Sequence, residues 1–117
     1  MIPAFQSAQS GLKAFATTIQ ANADNIANAS SDNFKKTRVT MASGVPQGVK
    51  TTVEKVDTPG VVINRETSEG TEKVELSNVD LGEELPKMMV NSHFYKANLK
   101  TIQVSDDMIG SLLKIKS

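Results

Sequence analysis

The first part of the chain has apolar residues at alternating spacings of three and four, from Ile2 to about Ala29. This heptad spacing predicts a helix that packs along another helix, with Asn22 as a polar position in its seam. Gly11 weakens the helix and therefore indicates a close neighbour. A cluster of turn-forming residues over 28–33 ends the pattern. The predicted seam positions are Phe5, Ala8, Leu12, Phe15, Ile19, Asn22 and Ile26.

The same spacing returns between Leu81 and about Lys116. Asp80 is the predicted N-cap, and Glu83 three residues on completes a capping-box-like start. Pro86 fits only a first helical turn, so we expect the regular helix to begin near Glu83 or to bend there. The predicted seam positions are Leu81, Leu85, Met88, Ser92, Tyr95, Leu99, Ile102, Asp106, Ile109 and Leu113.

Between the two helical segments the pattern changes to short β-favouring runs over 49–56, 61–65 and 73–76. Turn signals separate these runs, and the clearest is Asp57-Thr58-Pro59-Gly60. Few of the residues are bulky. We therefore expect a small sheet or hairpin arrangement that has no sizeable core of its own.

These patterns together predict an α+β fold, in which two long terminal helices form an antiparallel coiled-coil pair around a small β-rich insert. Residues 1–33 and 78–117 would form the helical domain, and 34–77 the β-rich outer segment. A single pair of helices buries one stripe of each. Seven apolar side chains do not all fit on one stripe with their neighbours, so some apolar surface would remain for other chains to cover: Ile26, Met89, Phe94, Ile102, Met108, Leu112 and Ile115.

Composition narrows the function classes. The chain has 117 residues, no net charge and no Cys, and aromatic residues make up 4%. It suits one domain, and it has no disulfides, thiolate metal sites or Cys nucleophile. Neither nucleic acid nor an anionic membrane is indicated as a partner. The N-terminus lacks a basic region followed by an apolar run, and no stretch has membrane-spanning length, so we expect neither a cleaved signal peptide nor membrane insertion.

Candidate chemistry is sparse. His93 is the single histidine, and a packing or surface role is far more common for a histidine within a helix. Asp106 and Asp107 are adjacent on a helix, so they point about 100° apart and do not share one target. Capping explains the acidic residues after Asp80, and no Gly-rich phosphate loop is present. We expect no enzyme, no metal site and no cofactor.

The one basic cluster consists of Lys35, Lys36 and Arg38. It is interpreted either as a solvated face just beyond a helix or as a contact patch for an acidic neighbour or cell-wall polymer. Nucleic acid is the third candidate, because three charges release few counterions.

Motifs at both ends of the chain resemble those of one protein family. The run Ser10-Gly11-Leu12-Lys13-Ala14-Phe15, the run 22–28 (NADNIAN) and Phe34-Lys35-Lys36 are similar to the N-terminal signature of the bacterial flagellar rod and hook proteins. The run 78–81 (NVDL), the run 95–100 (YKANLK) with Ile102, Asp107-Met108 and Leu112-Leu113 are similar to the C-terminal signature. Asn33 stands where the family usually places Gly, and Asn also tolerates a left-handed conformation.

The resemblance implies a structural subunit of the flagellar basal body, most like the small proximal-rod proteins. Such subunits pass through the flagellar type III export apparatus without a cleaved signal peptide. They then assemble in the periplasm with other rod subunits through their terminal helices. Peptidoglycan is a candidate contact of the outer segment. The alternative is a non-flagellar or cytoplasmic helical interaction module that binds partner helices through the same seams.

The residues expected to carry assembly lie along the two seams and in the Asn-rich run. Asn22 would set register and partner number, as a buried polar seam residue does. Asn25 and Asn28 would lie on an adjoining face, where their amides bond neighbouring subunits or cap the turn. The predicted assembly residues are Phe5, Leu12, Phe15, Ile19, Asn22, Asn25, Ile26, Asn28, Leu85, Met88, Tyr95, Asn98, Leu99, Ile102, Ile109 and Leu113, with Lys35, Lys36 and Arg38 as the possible contact patch.

Overall fold

The computed structural model describes residues 2–45 and 47–116. Along the chain, a long helix is followed by two separate two-stranded antiparallel sheets and then by a second long helix. This confirms the predicted α+β fold. The molecule is elongated, with extents of 80 × 24 × 19 Å. The elements are α1 (Ile2–Ala27), β1 (Thr37–Ser43), β2 (Val49–Lys55), β3 (Val62–Thr67), β4 (Gly70–Glu75) and α2 (Leu81–Lys116).

The helix ends follow their local sequence. After α1 the chain turns at Asn33, whose φ of 61° is the left-handed conformation that Asn tolerates. Asp80 caps α2, since its Oδ1 accepts a hydrogen bond from the Gly82 N–H at 2.9 Å. Glu83 does not complete a capping box in this structure; its carboxylate accepts a hydrogen bond from Lys87 at 2.6 Å.

Pro86 lies inside α2, and the expectation that the helix begins near Glu83 is wrong. The helix begins at Leu81. The N–H that Pro86 lacks would have bonded the carbonyl of Gly82, which is exposed at the start of the helix, where water can take its place.

The two helices run antiparallel. Asn22 bonds residues near the start of α2, the Phe15 ring stacks on Phe94 with centroids 5.2 Å apart, and Gly11 lies against Asn98. A Cβ built at Gly11 would lie 2.6 Å from Asn98 Oδ1. Gly11 therefore marks a close approach of the helices, as the sequence indicated.

Half of the positions predicted for the seam of α2 are exposed and do not lie between the helices. Leu81, Leu85, Leu99 and Leu113 are exposed. The positions of α2 that lie beside α1 carry mostly polar or small residues. A prediction based on apolar residues therefore selects the neighbouring stripe of the helix instead. Eight of the buried and half-buried positions again alternate spacings of four and three: Glu84, Met88, Asn91, Tyr95, Asn98, Ile102, Ser105 and Ile109. Ser92 and Gly110 are half-buried beside this stripe.

Helix α1 shows the same preference for small and polar residues. Leu12, Phe15 and Ile19 are half-buried. The fully buried positions of the helix are Ala8, Gly11, Ala14, Asn22 and Asn25. The helices can approach closely here because no large side chain separates them.

The hairpin of β1 and β2 packs on α1. Odd-numbered residues of β1 are half-buried and even-numbered ones exposed up to Ala42, which is the alternation of a strand with one covered face. Strand β1 was not predicted from the sequence. Its apolar residues, Val39 and Met41, are few, and they follow directly on the basic cluster.

The hairpin of β3 and β4 stands apart. In the described part of the chain neither strand packs against a helix or against the first hairpin. Every residue of β3 is exposed, and in β4 only Val74 is buried. Contacts at the base of this hairpin, described below, hold it to the rest of the chain.

Candidate assembly surface

Asn25 joins α1 to the first hairpin. Its side chain is 1% exposed. Its Nδ2 donates to the Thr37 carbonyl at 2.9 Å, and its Oδ1 accepts from the Thr37 N–H at 2.8 Å. The amide thus pairs with one residue of β1 as a neighbouring strand would, and it satisfies both backbone groups of Thr37.

Glu84 connects the two helices through the same group of side chains. Its Oε2 accepts from Asn22 Nδ2 at 2.8 Å and from Asn25 Nδ2 at 3.3 Å. Asn22 Oδ1 in turn accepts from Asn91 Nδ2 at 2.9 Å. A carboxylate that is 4% exposed is therefore stabilised by amide donors from α1. Among the described residues, no buried side-chain polar atom lacks a partner.

Asn78 fastens the segment just before α2 to both ends of the first hairpin. Its Oδ1 accepts from the Lys36 N–H at 2.7 Å. Its Nδ2 donates to the carbonyls of Val56 at 2.8 Å and Thr58 at 3.0 Å. One side chain therefore holds the chain where it enters the hairpin and where it leaves it.

The base of the second hairpin is held by charged contacts. The Arg65 guanidinium makes two hydrogen bonds to the Asp32 carboxylate, at 2.8 and 3.2 Å, and this pairing raises the pKa of Arg65. Glu75 accepts hydrogen bonds from Lys35 and from the Gly60 N–H. The hydrogen bond from Lys35, followed by that from Gly60, lowers the pKa of Glu75.

Each cation of the basic cluster has a carboxylate partner within the chain. Lys35 pairs with Glu75, Lys36 lies 4.0 Å from Glu83, and Arg38 Nε donates to Glu54 Oε1 at 2.7 Å. The hydrogen bond from Lys87, more than the charge of Lys36, lowers the pKa of Glu83. These pairs reduce the positive charge that the cluster offers to another molecule, and a contact by the cluster stays a prediction.

Most of the exposed large apolar residues in the described part of the chain lie on α2. Met89 is 66% exposed, Leu99 50% and Ile115 80%. The apolar residues are distributed all round this helix, which is typical of a helix that is buried on all sides. The exposed large apolar residues of α2 are Leu81, Leu85, Met89, Val90, Phe94, Leu99, Val104, Met108, Leu112, Leu113 and Ile115.

The far end of α2 extends past α1. Gly11 lies against Asn98, so in an antiparallel pair Ile2 lies near the level of residue 107. The remaining nine residues of α2 span about 13 Å at 1.5 Å per residue. An open apolar groove of about 430 Å³ lies on this stretch and is lined mainly by Val104, Met108, Leu112 and Ile115.

The structure divides the predicted assembly residues into three groups. Buried or half-buried ones between the helices and beside the hairpin are Leu12, Phe15, Ile19, Asn22, Asn25, Met88, Tyr95, Asn98, Ile102 and Ile109. Phe5, Ile26 and Asn28 are half-buried toward the ends of α1, and Asn28 Nδ2 bonds the Asp24 carbonyl at 2.9 Å. Leu85, Leu99 and Leu113 are exposed.

Three contributors to this arrangement were not predicted: Ser10, Glu84 and Asn78. Ser10 Oγ donates to the Val49 carbonyl at 3.1 Å and accepts from its N–H at 2.6 Å, which holds the tip of the first hairpin to α1. A polar residue with a long-range partner has no periodic signal. In the case of Asn78, its place in the NVDL motif was the available indication.

His93, Asp106 and Asp107 are all exposed on α2. Over residues 2–45 and 47–116 there is no cluster of His, Cys, Asp or Glu of the kind that binds a metal ion. None of the described helices is long and apolar enough to cross a membrane.

Comparison with known proteins gives two matches that agree. The family described as "Flagellar basal body rod FlgEFG protein C-terminal" matches residues 71–115. A segment of 64 residues, 55% of the chain, is 34% identical to the flagellar hook protein FlgE of Treponema pallidum (strain Nichols). Over the matched residues the chain is similar to proteins of the flagellar rod and hook. This confirms the resemblance that the terminal motifs indicated.

The rod and hook family is a structural one, and its matched region includes β4 and nearly all of α2. The exposed apolar face of α2 therefore lies within the part of the chain that the family shares. The match covers 13% of the hook protein, so this chain spans a small part of the length of that relative.

Proposed function

We propose that this chain is an axial structural subunit of the proximal flagellar rod. It assembles with copies of itself and with other axial subunits through α1 and α2, and it performs no catalysis. It reaches the periplasmic side through the flagellar type III export apparatus.

The observation that carries this proposal is the exposed apolar face of α2. Burying an apolar side chain such as Leu99 or Met108 is worth roughly 2 kcal/mol relative to leaving it in water. Eleven large apolar residues of this one helix are exposed in the isolated chain, in a region related to the rod family. Packing against the helices of neighbouring subunits is the simplest way to cover them on every side.

The buried network of Asn22, Asn25 and Glu84, here called the polar junction, supports the same function. Asn22, Asn25 and Glu84 fix the position of α2 against α1 and of the first hairpin against both. A rod subunit that transmits torque needs such a fixed internal geometry, and buried polar contacts tolerate few alternative registers.

The test is a single charge on the apolar face. We expect Leu99→Asp to leave the isolated chain folded, because the side chain is half exposed, and to prevent its incorporation into basal bodies. Thr101→Asp is the matched control, since it adds the same charge at an exposed polar position of the helix. Electron microscopy and composition of isolated basal bodies are the measurements. Normal rods that contain the Leu99→Asp chain would contradict the proposal.

The second candidate is a cytoplasmic module that binds partner helices. Localisation separates the two. A chain that stays soluble in the cytoplasm of a motile cell and is absent from purified basal bodies would favour the module.

A further inference from the structure

The outer edge of β2 has unpaired backbone groups. Gly44 N–H bonds the Gly48 carbonyl at one end of the first hairpin, and Val56 N–H bonds the Lys36 carbonyl at the other. With the register between them, even-numbered residues bond across the hairpin and odd-numbered residues point their N–H and C=O outward. Ser10 takes both outward groups of Val49. Further along this edge, Thr51 and Val53 have no backbone partner among the described residues.

The outer edge of β3 is open along its whole length. Leu76 N–H bonds the Val61 carbonyl, so odd-numbered residues of β3 bond β4. The outward residues are therefore Val62, Asn64 and Glu66, and none of their backbone groups has a partner within 2–45 and 47–116. The other strand edges each have one residue bonded by the chain itself.

An open edge of this kind favours pairing with another strand. A two-stranded hairpin exposed on both faces is marginally stable in water, and an unpaired edge is a template for a further strand. Val62 on the β3 edge and Val53 on the β2 edge are 57% and 56% exposed. Edge-to-edge pairing would satisfy the backbone groups and cover both side chains.

The two hairpins have opposite charges. Three cations accompany one carboxylate over 37–55, whereas two cations accompany four carboxylates over 62–75. Of the two cations of β2, Lys50 lies next to Thr51 on this strand, whereas Lys55 Nζ donates to Thr37 Oγ1 of β1 at 2.8 Å. Glu66 and Glu69, near the tip of the second hairpin, have no ion-pair partner in the part of the chain described. This complementarity favours pairing of unlike hairpins over pairing of like ones.

We propose that β3 of one copy adds edge to edge to β2 of a second copy, which gives a four-stranded sheet between subunits. Within one chain the two hairpins do not pack on each other, so the partner strand comes from another copy. The bond of Ser10 to Val49 holds β2 on α1 and presents its open edge in a fixed position. The inference rests on the proposed function, because it requires assembled subunits.

Engineered cysteines test the contact directly, since the chain has no Cys of its own. The double variant Thr51→Cys with Asn64→Cys is assembled into rods and treated with a short bis-maleimide, which tolerates small differences in register. We expect a ladder of cross-linked chains that is absent from both single-cysteine variants. Assembled rods without the ladder would overturn the inference and leave the proposed function intact. Failure of the wild-type chain to enter rods would overturn both.

A proline on the β3 edge supplies a test without cross-linking. The Asn64 N–H points outward, so Asn64→Pro removes an edge donor and leaves the bonds to β4 in place. We expect roughly tenfold less incorporation into rods than for Asn64→Ala, which keeps the N–H, because one intersubunit hydrogen bond is lost and the ring obstructs the edge. Equal incorporation of the two variants would contradict the inference.

Reversing charges provides a measurement that does not alter the backbone. Lys50→Glu and Glu66→Lys each place like charges on the two edges, whereas the double variant restores the attraction. We expect lower incorporation of each single variant and recovery in the double variant. No recovery would count against pairing of these two edges.

Discussion

The start of α2 buries a polar residue, whereas its far end exposes apolar ones. Near its start, Glu84 is 4% exposed and bonded to the amides of Asn22 and Asn25, while near its other end Met108 and Leu112 are 51% and 58% exposed. The polar group is inside and the apolar groups are outside. The junction is complete within one chain, whereas the far end lacks the neighbours that its side chains require.

The junction should give the largest loss of stability. Asn25→Leu leaves the N–H and C=O of Thr37 without partners and removes one donor to Glu84, so we expect a loss of about 3 kcal/mol in the free energy of unfolding. Urea denaturation of the full chain measures it. Asn64→Leu, at an exposed position of β3, should change the same quantity by less than about 0.5 kcal/mol. Equal effects of the two substitutions would show that the buried network of Asn25 does not contribute to the free energy of unfolding.

Substitutions at two glycines test the difference between the part of α2 that contacts α1 and the far end of α2 that extends past it. A Cβ at Gly11 would meet Asn98 Oδ1 at 2.6 Å, whereas one at Gly110 would meet nothing within 4 Å. We expect Gly110→Ala to raise the melting temperature, since Ala is favoured over Gly by roughly 1 kcal/mol in a helix. Gly11→Ala should lose that gain, because Asn98 must move and its bond to the Phe94 carbonyl is disturbed. A larger gain at position 11 would refute close contact there.

The far end should tolerate a charge in the isolated chain. Leu112→Asp removes an exposed side chain from the apolar groove, so the free energy of unfolding should change by less than about 0.5 kcal/mol. Incorporation into rods should nevertheless fall. Loss of stability in the unassembled chain would mean that this end already packs against something in the monomer.

Acid should weaken the contact of Glu75 with Lys35 at the second hairpin. Lys35 lowers the pKa of Glu75, so this carboxylate stabilises the fold while it is ionised, and the contribution is lost as pH falls below about 4. The pairing of Glu83 with Lys87 has the same sign. Glu75→Gln should therefore show a smaller drop in urea midpoint between neutral and acidic pH. An unchanged drop would exclude Glu75 as a source of the acid sensitivity.

The helices were predictable because periodicity and caps act locally. The bounds of α2 match the apolar pattern over 81–116, although not the start near Glu83 expected from Pro86, and Asn33 has the left-handed conformation expected of it. The face that α2 turns to α1 was not predictable in the same way. Ile102 and Met88 belong to both possible stripes. The choice between the stripes depends on Glu84 and Asn91, which bond distant residues of α1, and on Asn98, which lies against Gly11.

The first hairpin shows a second limit. Strand β1 was missed because Val39 and Met41 give little apolar signal, and the strand is stabilised by α1 through Asn25. The sequence places Asn25 beside the seam, but nothing local indicates that its amide bonds Thr37. A residue whose role depends on a contact twelve positions away is recognised only once the fold is known.

The contacts of Ser10 and Asn25 require the length of the first hairpin to match the distance between these two residues along α1. The two residues are fifteen positions apart, which is about 22 Å along a helix. Thr37 and Val49, which they hold, are separated by six residue steps along the hairpin, or about 20 Å at the rise of an antiparallel strand. Lengthening each strand by two residues would carry Val49 about 7 Å past Ser10. An insertion of that length is therefore disfavoured in the first hairpin. In the second hairpin, the part beyond the contact of Arg65 with Asp32 is not fastened to any other described residue and is free to vary in length.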